Sequence, residues 1–264
     1  MAPVAAESLD PASDEFVQAL ARGLAVICVF GEGAEELSLS QVASRAGLTR
    51  AGARRLLLTL KRLGYVGQRE RAFFLTPHIL ELGYAYLSSM PLWRFAEPIL
   101  EELATSLEET CSVAVLDGTE SVYLLRMGTA RLLRPGVSVG SRLPAYATSM
   151  GRVLLGGLSP PELDQYFARA KFTRYTARTV IDQKSLRRII GEDRERGWSY
   201  VSGALDEGIH GLAVPIVARD GRVIAAMNAS ASTRRVTKAD VLKRFLPALR
   251  NAARKVNAQL AVRR

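Results

Sequence analysis

The sequence predicts an α+β protein: a winged helix-turn-helix at the N-terminus, then a linker helix, then a larger domain of mixed strands and helices. Three observations carry this. Two short helical patterns meet at Gly47-Leu48-Thr49 and run into a hairpin with a basic tip, Arg69-Glu70-Arg71. Between Arg45 and Thr76, eight bases stand against one acid, Glu70. Beyond Pro91, patterns of period 2 and period 3.6 interleave to the C-terminus, as in a sheet covered by helices. The expected boundaries are 1–13 for a disordered tail, 14–76 for the winged helix, 77–91 for the linker helix and 92–264 for the second domain.

The elements follow in order. Phe16, Val17, Leu20, Leu24 and Ile27 recur at three- and four-residue spacing and predict an apolar helix face starting at Asp14 and ending at Gly31-Glu-Gly33. In Ser38-Leu-Ser-Gln41 a Ser is followed three residues later by Gln, a capping box for a second helix over Ser40–Ala46. Gly47 stops that helix, and Thr49 caps a third that runs to Leu63. Strands at Gly64–Gln68 and Ala72–Thr76 form the wing. A linker helix spans Pro77–Ser89, and a further helix Trp93–Glu109. Strands are expected at Ser112–Leu116 and Ser121–Met127 around an Asp117-Gly118 turn, and later at Trp198–Val201, Gly211–Val217 and Val223–Ser230. Helices are expected at Thr148–Leu155, at Leu163–Ala170 after the start signal Ser159-Pro160-Pro161-Glu162, at Asp182–Arg196 and at Thr237–Val262.

The 264 residues carry 36 Lys and Arg against 26 Asp and Glu, a net charge of +10. Such a balance points to a polyanion, nucleic acid or an anionic membrane face. No run of about 18 apolar residues is present, which excludes a membrane helix. The N-terminal stretch lacks the basic and apolar regions of a signal peptide. Cys28 and Cys111 stand far apart with no CxxC, which suits a reducing cytoplasm and gives no support for a metal site. No cofactor is expected.

On a helical wheel Arg50, Arg54 and Lys61 fall within about 40° of one another, while Ala53, Leu56, Leu60 and Leu63 fall on a different face. The basic face suits the major groove of DNA, with Arg50 and Arg54 at base edges. Arg55 belongs to the same basic segment. Ser40 and Thr49, at helix N-termini, suit phosphates, and Arg69 and Arg71 suit the neighbouring backbone or minor groove. The structural alternative is a solvated basic face on an ordinary helical bundle.

Together these segments resemble the IclR-type bacterial transcription regulators, from Phe16 to about Leu260. The resemblance rests on Phe16–Ile27, Gln41-Val-Ala, Gly47-Leu-Thr-Arg50, Leu63-Gly-Tyr-Val66, Val115-Leu-Asp-Gly118, Arg142–Leu155, Gly211–Ile216 and Ala225–Ser230. The stretch Leu143-Pro-Ala-Tyr-Ala-Thr-Ser-Met-Gly-Arg152 resembles the subgroup that controls catabolism of protocatechuate, 4-hydroxybenzoate and related aromatic acids. The resemblance implies a GAF-like effector domain, a palindromic operator in double-stranded DNA, and dimers or dimers of dimers. RNA polymerase is a further partner expected of such a regulator. One segment departs from the family: Ala204, His210 and Gly211 stand where a Glu, an Arg and a Ser are usual.

The effector pocket is expected at the start of the helix at Thr148, Ser149, Met150 and Gly151, whose free N–H groups favour a carboxylate. His210, Gly211, Asn228 and Ser230 are expected at facing strand ends, with Leu143 and Tyr146 joining Met150 as the apolar wall. The structural alternative is that Thr148 and Ser149 only cap their helix and that Asn228 and Ser230 sit in an edge turn. A dimer surface is expected on Leu80, Tyr84 and Leu87 together with the helix Phe16–Ile27. No catalytic constellation assembles: Ala147-Thr-Ser-Met-Gly151 is not a G-x-S-x-G elbow, and His78 and His210 are the two imidazoles. The alternative function is a ligand-binding or enzymatic domain whose N-terminal helices serve only for assembly.

Overall fold

A computed structural model describes residues 15–31, 33–89, 91–128 and 137–262. They divide into two compact units, one ending at Ser89 and the other following it. The expected tail, residues 1–13, lies outside the described residues.

The first unit runs α1 (Gln18–Cys28), β1 (Leu37–Ser38), α2 (Leu39–Arg45), α3 (Arg50–Arg62), β2 (Val66–Arg69), β3 (Ala72–Leu75), a 3-10 turn at Pro77–Ile79 and α4 (Leu80–Ser89). Ser38 is the N-cap of α2: its hydroxyl accepts from Gln41 N at 3.4 Å, and Gln41 Oε1 accepts from Ser38 N at 2.8 Å. The capping box therefore opens the helix one residue earlier than expected, and Ser40 falls inside its first turn. Gly47, at φ +64°, turns the chain out of α2, and Thr49 Oγ1 caps α3 by accepting from Gly52 N at 3.1 Å. The core gathers Val26, Phe30, Leu37, Val42, Ala53, Leu57, Leu60, Val66 and Phe73. Leu57 completes the buried stripe of α3. Leu63, expected there, is 57% exposed, because the helix ends at Arg62 and Gly64 at φ +87° swings the chain away.

Of the apolar face of α1, Ile27 packs against this core and the rest stays outside it. Val17, Leu20 and Leu24 are exposed by 63, 62 and 49%, while Val26 turns inward. The helix starts only at Gln18, which leaves Phe16 and Val17 ahead of it. The wing is a three-stranded antiparallel sheet in the order β1-β3-β2, and Arg69 pairs with Ala72 across the turn at Glu70 and Arg71.

The second unit runs α5 (Pro91–Leu107), β4 (Thr110–Asp117), β5 (Glu120–Met127), β6 (Arg142–Pro144), a 3-10 turn at Ala145–Ala147, α6 (Ser149–Gly156), α7 (Pro160–Arg169), α8 (Gln183–Arg196), β7 (Ser199–Ser202), β8 (Ile209–Val217), β9 (Val223–Ser232), α9 (Lys238–Asp240), a π-turn at Val241–Phe245 and α10 (Leu246–Val262). Its six strands form one antiparallel sheet in the order β6-β5-β4-β9-β8-β7. The short edge strand β6 has no sequence signal: three residues ending at Pro144 are too few to show alternation. The closing helix, expected as one, is interrupted. Pro247 has no N–H to give Lys243, and Leu246 N donates to Val241 O in the wider π spacing.

Met150, Val153 and Leu154 of α6 pack on the sheet face that carries Ala114, Ala213 and Ala226. By alternation the other face carries Cys111, Val113, Leu212 and Val214, and α5 and α10 pack on strands of this sheet, α10 beside Val214. Burial pushes the Cys111 thiol up to about 12, with Glu109 adding to the effect, whereas Cys28 is exposed. At pH 8 a thiol reagent is expected to titrate one cysteine per native chain and both after denaturation. Two reactive thiols in the native protein would contradict the burial of β4.

Candidate functional site

Two features stand out, one in each unit. In the first, α3 presents Arg50, Arg54, Arg55 and Lys61 to solvent, beside the exposed Ser40 and Thr49. Arg50, Arg54, Arg55 and Arg71 meet no carboxylate among the described residues. Lys61 Nζ donates to Gln68 Oε1 at 2.9 Å, tying the helix to the wing. Arg69 is held against Glu36 at 2.7 Å and lies over the Phe74 ring. The basic side chains of α3 and the wing are thus exposed, and Lys61 and Arg69 each have a polar partner among the described residues.

In the second unit a cavity of 810 Å³ opens between the sheet and the start of α6. It exists because the sheet carries small side chains there: Thr110 on β4, Gly211 on β8, Asn228 and Ser230 on β9. Leu143, Thr148 and Ser149 close one side, and the turn Gly203–Asp206 closes another. That turn is fastened from behind, where Thr176 Oγ1 donates to Gly203 O at 2.5 Å and Thr179 Oγ1 to Ala204 O at 2.6 Å. A Cβ on Gly211 would lie 2.8 Å from Ser149 Oγ, so glycine there lets α6 approach β8.

Four expected pocket residues lie elsewhere. Tyr146 is buried in a core cluster with Leu155, Phe167 and Ile190, and its hydroxyl donates to Thr173 O at 2.8 Å and accepts from Thr173 N at 2.7 Å. Met150 points into the core under α6. Gly151 is wedged against Ala145, where a Cβ would meet backbone at 2.1 Å. His210, next to Gly211 on a strand, faces the opposite side of the sheet and bonds the Tyr200 hydroxyl at 2.7 Å and Val236 O at 2.9 Å. A carbonyl can only accept, so His210 Nε2 donates to Val236 and Nδ1 accepts from Tyr200. Thr148 does cap α6, accepting from Gly151 N at 3.0 Å, and it also lines the cavity.

Arg126 of β5 was not anticipated. It lines the cavity with Tyr123, and its Nε is buried with no hydrogen-bond partner among the described residues. Burial lowers its pKa, with Tyr123 opposing, yet a guanidinium stays charged at neutral pH. Burial pushes the Tyr123 phenol up to about 12, so it is a neutral donor. Asn228 Nδ2 donates to Ser230 Oγ at 3.0 Å, which fixes the amide and leaves Oδ1 buried without a donor. At the rim, Glu109 pairs with Arg235; burial holds its carboxyl above the usual range against the pull of that arginine. The cavity therefore offers one half-buried cation, one orphan acceptor and apolar walls at Leu143, Val201 and Ile209. Among the described residues no group of His, Cys, Asp or Glu could hold a metal ion, and no helix is long and apolar enough to cross a membrane.

Known proteins share this arrangement. The IclR helix-turn-helix family model matches residues 19–70, and the model for the C-terminal domain of IclR bacterial transcriptional regulators matches residues 84–258. The Pca regulon regulatory protein of Pseudomonas putida is 42% identical over 247 residues, covering 93% of this chain and 85% of that protein. The p-hydroxybenzoate hydroxylase transcriptional activator of Acinetobacter baylyi is 34% identical and covers 91% of each chain. The crystal structure of an IclR homolog from Microbacterium hydrocarbonoxydans, complexed with 4-hydroxybenzoate, superposes with a TM-score of 0.80 at 25% identity, over 93% of this chain and 100% of that one.

Proposed function

Because the chain belongs to the IclR family, and so is a DNA-binding transcription regulator with a small-molecule effector domain rather than an enzyme, we propose that its effector is a small aromatic acid held by Arg126. The carrying observation is the buried, unpartnered Arg126 Nε on the wall of a cavity of ordinary ligand size. A carboxylate supplies the missing charge-assisted partner. A ring hydroxyl supplies the donor that Asn228 Oδ1 lacks, and the ring lies against Leu143 and Val201. Compounds of the 4-hydroxybenzoate or protocatechuate type fit this chemistry, and the names of the relatives favour it, whereas β-ketoadipate, an aliphatic dicarboxylate, offers Arg126 a carboxylate but brings neither ring nor hydroxyl. Ser149, Gly211 and Ser230 border the ligand; Tyr146, Met150, Gly151 and His210 support the walls from outside. Calorimetry with these three acids tests the reading, and failure of both aromatic acids to bind would refute it.

On DNA, α3 lies in the major groove with Arg50 and Arg54 at base edges, while Ser40, Thr49, Arg55, Lys61, Arg69 and Arg71 meet the backbone. One such helix reads few base pairs, so two chains on a palindromic operator supply the rest. The exposed apolar rows of α1 and of α4, with Leu80 and Tyr84, form the pairing surface. A chromosomal target means that the protein works in the cytoplasm. Arg50→Ala or Arg54→Ala is expected to cost about 1–3 kcal/mol on the operator and to relax one base position. Arg71→Ala is expected to weaken all duplexes alike and to lower the salt slope by about one. Unchanged operator affinity in all three variants, measured by anisotropy at two salt concentrations, would overturn this docking.

A further inference from the structure

The cavity that holds Arg126 has a second charged end. Glu109 and Arg235 also line it, and their side chains form an ion pair. Glu109 sits just ahead of β4, and Arg235 follows β9, whose Ser230 pairs with Thr110 of β4, so both stand at the same end of the sheet. Arg126 stands opposite Ser112, three residues along β4 from Glu109. About 10 Å of strand therefore separates the two ends, at about 3.4 Å per residue. A cavity of 810 Å³ is large for a ligand site, so a molecule reaching from Arg126 to Arg235 has room.

The two partners of the pair are unequal. Arg235 is half exposed, its backbone N–H is tied to Ser232 O at 3.1 Å, and it donates to Glu109 through Nη2. Glu109 is buried, and burial outweighs its arginines. Its carboxyl stays above the usual range although Arg235 and Arg244 both pull it down, with Glu108 adding to the rise. The neighbouring Cys111 thiol is neutral, and Asp206, the other carboxylate of the cavity lining, accepts from Gly208 N at 2.8 Å. Without the charge of Arg235, Glu109 loses the largest of the pulls that oppose burial.

We propose that Glu109 and Arg235 read the far end of the ligand held by Arg126 and distinguish a second acid group there from a neutral one. A ligand whose far end is uncharged leaves the pair closed. A second carboxylate takes Arg235 for itself, and Glu109, left buried beside a like charge, takes up a proton from water. A diacid is thus bound by exchange of one carboxylate for another, with a proton taken up, and a monoacid without. The complex with a diacid holds one proton more than the free protein, so its affinity rises as pH falls. The proposal rests on Arg126 as the site of the first carboxylate.

Calorimetry on the full-length chain tests this with β-ketoadipate as diacid and 4-hydroxybenzoate as monoacid, at about pH 6.5 in two buffers of different ionisation enthalpy. In the wild type, proton uptake is expected with β-ketoadipate and none with 4-hydroxybenzoate. Glu109→Gln keeps the shape and removes the competing charge. It is expected to bind β-ketoadipate about tenfold tighter or more, with no uptake. Glu109→Gln/Arg235→Gln, which leaves neither charge behind, is expected to lose that gain. In both variants 4-hydroxybenzoate is expected to shift by no more than about twofold. Binding of β-ketoadipate to the wild type without proton uptake would overturn the exchange, as would uptake that survives Glu109→Gln. So would a double variant that binds the diacid as tightly as Glu109→Gln, or a Glu109→Gln variant that does not bind it at all. Should 4-hydroxybenzoate fail to bind while β-ketoadipate binds with uptake that Glu109→Gln removes, the aromatic effector falls and the acid-reading pair stands.

Discussion

Replacing Arg126 by Met is expected to abolish binding of an acidic effector while leaving the ligand-free protein at least as stable. The two effects have one cause. Among the described residues the guanidinium is a half-buried cation whose Nε finds no acceptor, so its desolvation is uncompensated there. Met has similar reach and removes that burden. For the ligand, the same change leaves a carboxylate unpaired in an apolar cavity, which costs about 2–5 kcal/mol, or roughly 30- to several thousand-fold in Kd. Calorimetry and thermal melting separate the two. A variant that binds the acid like the wild type, or that melts well below it without ligand, would show that Arg126 serves the fold and not the ligand.

Gly151→Ala is expected to be the most damaging small substitution in the second unit. The added Cβ would stand 2.1 Å from Ala145 O and 2.3 Å from Ala145 Cα, backbone atoms of the turn that leads into α6. That turn cannot yield easily, because Arg152 Nε donates to Tyr146 O at 2.9 Å and Tyr146 is locked to Thr173. Overpacking of this kind costs about 3 kcal/mol or more, which lowers the melting temperature by about 6–12 °C in a domain of this size. Gly211→Ala provides the contrast. Its nearest neighbour is Ser149 Oγ at 2.8 Å, a hydroxyl free to rotate, so stability falls little while the methyl intrudes on the cavity and weakens binding. Equal melting temperatures for Gly151→Ala and the wild type would mean that α6 is not seated as described.

Much of the first unit was legible because its punctuation is local. Ser38 with Gln41, Gly47 and Thr49 each act within one turn of helix, and a sequence shows such spacings directly. The stripe on α1 was legible as an apolar face, but periodicity is silent on what covers it. In the second unit, the expected strand ends included Gly211, Asn228 and Ser230, which line the cavity by alternation along β8 and β9. The same rule should have removed His210, because adjacent strand residues face opposite sides. Met150 and Gly151 fell to the analogous error on a helix, whose successive residues point about 100° apart.

Arg126 was out of reach for a different reason. Tyr123 and Arg126 are three apart and by strict alternation face opposite ways. Ala114 pairs with Tyr123 but Val113 with Leu125, so Leu124 is an extra residue in a bulge. The bulge rotates the strand and brings both side chains to the cavity. No local motif announces it, and the edge strand β6, three residues long, gave equally little warning.

An acid bound in the cavity is expected to change the affinity of the basic helix for operator DNA. The direct measurement is the Kd for operator DNA with and without a saturating acid that calorimetry has shown to bind, alongside the Kd for that acid with and without DNA. Coupling by linkage requires the two ratios to agree, typically at about 5- to 150-fold. A shift of that size is expected in the wild type, equal in both directions and absent in Arg126→Met. Tight binding of the acid that leaves operator affinity unchanged would contradict it.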